Sequence, residues 1–157
     1  MNLLCNTVVK KLIRKKITIS TAESCTGGLL ASSITSIKGS SAIFDLGLVT
    51  YSNKSKVNIL KVPKDLIKKY GAVSEKVCFK MLKNLNKITK TQIALTITGV
   101  AGPGGGSKKK PVGLVFIGFK NGNEISIIKK KFQNKGRIYI QKETVKKSLK
   151  LIFNSIK

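Results

Sequence analysis

Three short segments carry residue types able to do chemistry. Thr21-Ala-Glu-Ser-Cys-Thr-Gly-Gly28 sets a carboxylate, a hydroxyl and a thiol ahead of two glycines. Thr50-Tyr-Ser-Asn-Lys-Ser-Lys56 places a tyrosine beside two lysines. Thr96-Ile-Thr-Gly-Val-Ala-Gly-Pro-Gly-Gly-Gly-Ser107 is dominated by glycine. What these segments can do is bounded by a missing residue: the 157-residue chain contains no histidine. A Ser-His-Asp triad, a Cys-His pair, an HExxH zinc site and an imidazole base are all excluded within the chain. A serine nucleophile must then use a lysine, a carboxylate or a tyrosine as base, and a Ser/Lys pairing is the natural candidate. Such a lysine has to be neutral, and burial among other cations lowers its pKa toward that state.

Each segment also has a plainer explanation. The first is a strand-to-helix junction where backbone N–H groups can hold an anion or a developing oxyanion. It equally suits a helix cap with glycines for tight packing. A single lysine in so lysine-rich a chain is ordinarily solvated surface. The glycine segment is no P-loop, since no Gly-Lys-Ser/Thr follows at the required spacing. Gly102-x-Gly-x-x-Ser107 lacks the last glycine of a dinucleotide fingerprint, and Pro103 interrupts it.

The elements that must position these segments follow from apolar periodicity. Leu3, Leu4, Thr7, Val8, Leu12 and Ile13 recur at helical spacing over 2–15. Ile17 to Thr21 is short and β-branched, predicting a strand, and Leu29 to Ile37 predicts a helix. Ala42 to Thr50 is a predicted buried strand, followed by a short helix capped by Ser52 or Asn53. Pro63 suits the first turn of another short helix stopped by Gly71. Ser74 is a good N-cap for a helix over 75–88. Strands are predicted at 93–98, 112–119 and 124–132, the last two joined at Asn121-Gly122. A helix with Ile140, Val145, Leu149 and Ile152 closes the chain. Strands alternating with helices, plus one hairpin, predict a three-layer α/β/α domain with a mixed sheet spanning residues 1–157.

The chain carries 31 Lys+Arg against 6 Asp+Glu, a net charge of +25. Such a field attracts polyanions without specificity at low salt, and also favours a small anionic substrate. The lysines are spread from Lys10 to Lys157, only Arg14 and Arg137 are arginines, and no nucleic-acid reading motif is present. Cys5, Cys25 and Cys78 show no CxxC spacing and lack histidine partners, so no metal site is expected. An odd cysteine count, basic residues after rather than before the first apolar stretch, and no apolar run of about 18 residues predict a soluble cytoplasmic protein without a membrane partner.

Taken together, TAESCTGG (21–28), KGSSAIFDLGLVTYSNKSK (38–56), YGAVSE (70–75) and TITGVAGPGGGSKKKPVGLVFIGF (96–119) resemble the C-terminal CinA family, in order and over about residues 5 to 155. Enzymatic members of that family are nicotinamide-nucleotide amidohydrolases. The resemblance implies hydrolysis of the carboxamide of nicotinamide mononucleotide to nicotinic acid mononucleotide and ammonia, without metal or cofactor, and a homo-oligomer such as a dimer. It also implies a stand-alone form, without the pyrophosphatase-like domain of longer CinA proteins. Carried onto this chain, it makes Ser24 the nucleophile and Lys56 its general base, with Tyr51 positioning the lysine or relaying a proton. Backbone donors around Cys25, Thr26 and Gly27 would hold the oxyanion. Thr98, Gly99 and the loop glycines Gly102, Gly104 and Gly105 would face the nucleotide. Cys25 and Ser41 are rival nucleophiles, Ser41 otherwise serving as a cap or a substrate contact, and Glu23 is a substrate contact, a rival base or a loop tie.

Two departures from the family pattern matter. Where the family tends to carry a GDRxxVR-like stretch, this chain reads Lys135-Gly-Arg-Ile-Tyr-Ile-Gln141. Arg137 matches, whereas Gln141 stands where a second arginine is expected, leaving Lys142 to meet a substrate phosphate as a point charge. Lys108, Lys109 and Lys110 occupy the stretch that reads GGSEEKP in the family. These departures keep a second function open, a non-catalytic module binding a nucleotide, a nucleic acid or a competence-related partner. An amidase for another small carboxamide is the third.

Overall fold

The N-terminal apolar repeat forms α1 (Asn2–Lys15), which turns Cys5, Val8, Val9 and Leu12 into the core. The structure, a computed structural model, describes residues 2–156. Lys16 ends α1 in the left-handed region at φ 54°. Its N–H donates to Ile13 O, and that of Ile17 to Leu12 O. This closure satisfies the last helix carbonyls and draws Ile17 out of the predicted strand. The strand therefore starts two residues late and runs through the chemistry-bearing segment, as β1 (Ile19–Glu23).

The remaining elements are α2 (Leu29–Thr35), β2 (Phe44–Val49), α3 (Asn53–Asn58), α4 (Lys64–Tyr70), α5 (Glu75–Thr89), β3 (Ile93–Gly99), β4 (Leu114–Asn121), β5 (Glu124–Lys131) and α6 (Arg137–Ser155). A 3₁₀ turn (Ser40–Ala42) precedes β2. The sheet order is β2-β1-β3-β4-β5. β1 runs parallel to both neighbours, with Thr21 opposite Gly47 on one side and Leu95 on the other. β4 and β5 are antiparallel, giving the mixed sheet that alternating elements plus one hairpin predict. The hairpin pairs Asn121 with Glu124, so Gly122 and Asn123 form the loop, with Gly122 supplying the positive φ its first position needs.

Side-chain alternation along the central strands builds two cores. Ile19, Ile93, Leu95 and Ile97 face α1, α2 and α6, joining Leu12, Leu30 and Val145. Ala22 and Ala94 face the other way, and their small size lets Met81 and Leu85 of α5 approach the sheet. Helices thus cover both faces, a three-layer α/β/α arrangement. Among the described residues, no helix is long and apolar enough to cross a membrane.

Because β2, β1 and β3 are parallel, their carboxyl ends share one edge of the sheet. Residues 24–28, 50–52 and 100–105 follow those three strands directly. The adjacent ladder is tightened there: Ser24 N–H donates to Ile97 O at 3.0 Å and Thr50 N–H to Glu23 O at 2.8 Å. The topology alone therefore gathers the three sequence segments at the place where open α/β sheets hold ligands.

Candidate active site

Ser24 is the first residue after β1 and is 8% exposed. Lys56 comes from α3, whose start is fixed by a reciprocal cap. Ser55 N–H donates to Ser52 Oγ at 3.0 Å, and Ser52 N–H donates to Ser55 Oγ at 3.1 Å. That cap holds a helix of only six residues in place and turns Lys56 inward, where it is 1% exposed. Its Nζ lies 2.9 Å from Ser24 Oγ, 2.7 Å from Thr50 O and 3.3 Å from Tyr51 O. No carboxylate pairs with this amine among the described residues. Burial lowers its pKa from 10.5 to about 8. A neutral amine has two N–H donors and one lone pair. The geometry offers two carbonyls for the donors and a hydroxyl for the lone pair.

The cleft above this pair has a volume of about 240 Å³. Ser24, Cys25, Tyr51, Lys56, Thr98 and Gly99 line it, with Gly102, Gly104, Gly105 and Arg137 across from them. Arg137 ties two walls together: Nη1 donates to Gly102 O at 3.0 Å and Nη2 to the Tyr51 hydroxyl at 2.8 Å. Thr98 donates to Ala72 O at 2.9 Å, and Lys110 Nζ reaches Tyr70 O, so β3 and the lysines after the glycine segment are anchored to the end of α4 and the chain just beyond it. Gly99 has no room for a side chain, since a Cβ would sit 2.8 Å from Leu114 O. A larger hollow of about 560 Å³ lies between α3 and α4, but its lysines and asparagines face no nucleophile. Among the described residues, no three Cys, Asp or Glu side chains form a metal-binding group.

Several sequence expectations are corrected. Ser41 is exposed in the turn before β2, at the amino end of that strand and so at the opposite edge of the sheet from the cleft. Lys142 is exposed on α6 and does not line the cleft, because one residue beyond Gln141 is turned about 100° away on a helix. Glu23 is fully buried and does not line the cleft, so it is neither base nor substrate contact; its carboxylate instead makes the tie to backbone that was its other expected role, at the start of α2. Oε2 accepts from Leu30 N–H at 3.0 Å and Oε1 from Ala31 N–H at 2.8 Å. Gly27 N–H is committed to Ser24 O at 3.0 Å, so of the three expected donors those of Cys25 and Thr26 keep no backbone acceptor, and of these two residues Cys25 lines the cleft. The Cys25 thiol is buried, and burial pushes its pKa up to about 12, so it stays protonated.

Glu23 caps the first turn of α2 with two charge-assisted hydrogen bonds. Glu23→Gln keeps the shape but turns an NH₂ group against one of those N–H donors. The expected loss is about 2 kcal/mol of unfolding free energy, measurable by urea denaturation at neutral pH. Unchanged stability would contradict this role.

Asn53, the asparagine of the second segment, also lines the cleft, as do Ala72, Val73, Val100 and Ala101, which the sequence did not single out. Nor did it anticipate that Gln141 Nε2 donates to Cys25 O at 2.8 Å.

The class these features define is an α/β domain with a buried Ser/Lys pair at the carboxyl ends of three parallel strands. The chain belongs to the CinA family: residues 2–156 match the CinA C-terminal domain. It is 49% identical over 153 residues to a CinA-like protein of Prochlorococcus marinus, covering 94% of this chain and 36% of that protein. A CinA-like protein of Fusobacterium nucleatum is 51% identical over 119 residues, which cover 76% of this chain and 29% of the relative. The chain thus spans about a third of the length of the curated relatives it matches. Among solved structures it resembles the competence/damage inducible protein CihA from Agrobacterium tumefaciens, with a TM-score of 0.93 and 36% identity over 98% of this chain and 93% of that one. A CinA superfamily protein from Klebsiella pneumoniae superposes with a TM-score of 0.92 at 28% identity, covering 99% of this chain and 96% of its own.

Proposed function

We propose that the protein is an amidohydrolase that converts nicotinamide mononucleotide to nicotinic acid mononucleotide and ammonia. The observation carrying this reading is the 2.9 Å contact between Ser24 Oγ and the buried, carboxylate-free amine of Lys56. Lys56, neutral, takes the Ser24 proton as Oγ attacks the carboxamide carbon. Charge on the carboxamide oxygen is met by the N–H groups of Cys25 and Thr26. The intermediate collapses to a nicotinoyl ester on Ser24, and Lys56 returns the proton to the leaving ammonia. Lys56 then deprotonates a water that attacks the ester carbonyl and returns that proton to Ser24 Oγ as the ester C–O bond breaks, and the acid product gives up its own proton to the released ammonia, leaving the carboxylate, free Ser24 and neutral Lys56. Arg137 and the backbone of Gly102 to Gly105 meet the nucleotide, and Tyr51, bonded to Arg137, holds one wall against the other.

Incubating the purified protein with nicotinamide mononucleotide is expected to release ammonia and nicotinic acid mononucleotide in equal amounts. The net charge of +25 favours a competing role as a non-catalytic binder of anionic ligands. Nucleotide binding without ammonia release would select that role and discard the enzymatic one. Turnover of another small carboxamide in preference to the mononucleotide would keep the chemistry and change the substrate.

A further inference from the structure

Helix α6 presents two side chains four residues apart, and so on one face, to the loops that follow the strands, and of the two Arg137 lines the cleft. Arg137 holds Gly102 O and the Tyr51 hydroxyl. One turn on, the half-buried Gln141 donates from Nε2 to the carbonyl of Cys25 at 2.8 Å. Cys25 directly follows Ser24. In a planar trans peptide the C=O and the next N–H point in opposite directions. Fixing Cys25 O toward α6 therefore fixes Thr26 N–H away from it. Of the donors that follow, Gly27 N–H is spent on Ser24 O, Leu29 N–H on Thr26 O, and the N–H groups of Leu30 and Ala31 on Glu23, leaving Gly28 N–H besides those of Cys25 and Thr26. Among the described residues, the N–H groups of Cys25 and Thr26 have no backbone acceptor.

We propose that Gln141 is a positioning residue: by holding the Cys25 carbonyl it orients the Cys25–Thr26 peptide, so that the Thr26 N–H meets the oxyanion formed at Ser24. The inference rests on the amidohydrolase reading above. It gives the glutamine, found where the family resemblance leads one to expect an arginine, a role that needs a donor and no charge.

The test compares Gln141→Met, similar in length without a donor, with Gln141→Arg, which restores one. Two rates are read: hydrolysis of nicotinamide mononucleotide, and covalent labelling of Ser24 by a fluorophosphonate, whose P=O oxygen enters the same donor pair. In Gln141→Met, kcat is expected to fall about tenfold with KM within about twofold, and labelling to slow by a similar factor. That is less than the about 100- to 1,000-fold typical of deleting an oxyanion donor, because the N–H is loosened and not removed. Gln141→Arg is expected to return both rates to within about threefold of wild type. Gln141→Glu, equal in size but with an acceptor facing the Cys25 carbonyl, is slowed at least as much as the methionine variant. Wild-type kcat and labelling in Gln141→Met overturn the proposal, as does full-speed labelling in Gln141→Glu. So does an arginine variant as slow as the methionine one when both unfold at the wild-type temperature. A wild-type protein that releases no ammonia from the mononucleotide defeats the substrate assignment alone, since the labelling rates still judge Gln141.

Discussion

Lys56→Met is expected to leave a folded protein whose hydrolysis of nicotinamide mononucleotide is about 1,000-fold slower, within the usual range for a lost general base. Lys56→Arg is expected to be no better, because a guanidinium stays charged and offers no lone pair to the Ser24 proton. Ser24→Ala should be at least as damaging, and the double variant no worse than the more damaging single one, since nucleophile and base act as a unit. The contrasting view, that Lys56 is a buried structural cation, makes a different forecast for stability. Holding an amine 1% exposed and free of any carboxylate is unfavourable. The drop from 10.5 to about 8 corresponds to a destabilisation on the order of 3 kcal/mol while the amine is charged. Methionine removes that burden but takes donors from Thr50 O and Tyr51 O, at about 1–3 kcal/mol per buried acceptor. The two nearly cancel, so the variant's Tm should lie within about 4 °C of wild type. A variant retaining more than a tenth of wild-type turnover, or one that unfolds many degrees lower, would remove Lys56 from its catalytic role.

Sequence reasoning reached the helices most directly, because α1 and α5 bury stripes that recur every three or four residues. It misplaced the start of β1, since Ile17 reads as a β-branched strand residue and nothing local reveals that Lys16 closes α1 in a left-handed turn. The same shift explains Glu23. In one dimension a carboxylate beside a serine looks like part of the site. In the fold, alternation along β1 sends it toward α2, where two backbone N–H groups satisfy it. Ser41 failed for a related reason: a six-residue strand separates its turn from Thr50 and carries the chain about 20 Å, from one edge of the sheet to the other.

The type of chemistry was readable, because the absence of histidine leaves few bases for a serine. That Ser24 and Lys56 meet depends on parallel pairing of β1 with β2 and on the Ser52/Ser55 cap, one a long-range fact and the other local. Gln141 was the least legible. Its partner is a backbone carbonyl 116 residues away, and no side-chain pattern announces such an acceptor.

The pH dependence of turnover should report the same amine. Only neutral Lys56 can accept the Ser24 proton, so log kcat/KM is expected to rise with unit slope at lower pH and level off above about pH 8. Stability should respond over a window set by the two protonation equilibria. Below about pH 8 the amine is charged in folded and unfolded chains alike, and the folded state bears the full cost of burying it. Between about 8 and the ordinary value of 10.5 the unfolded chain binds more protons than the folded one, so stability contributed at this position rises with pH. Above 10.5 both forms are neutral and the cost is gone. Other lysines titrate equally in wild type and Lys56→Met, so the difference between their urea unfolding free energies isolates Lys56. That difference should shift in favour of wild type by on the order of 3 kcal/mol from pH 7 to pH 11, most of it between 8 and 10.5. A flat difference across the range, together with a rate profile indifferent to pH between 6 and 9, would mean that the amine beside Ser24 keeps its proton and that some other group starts the reaction.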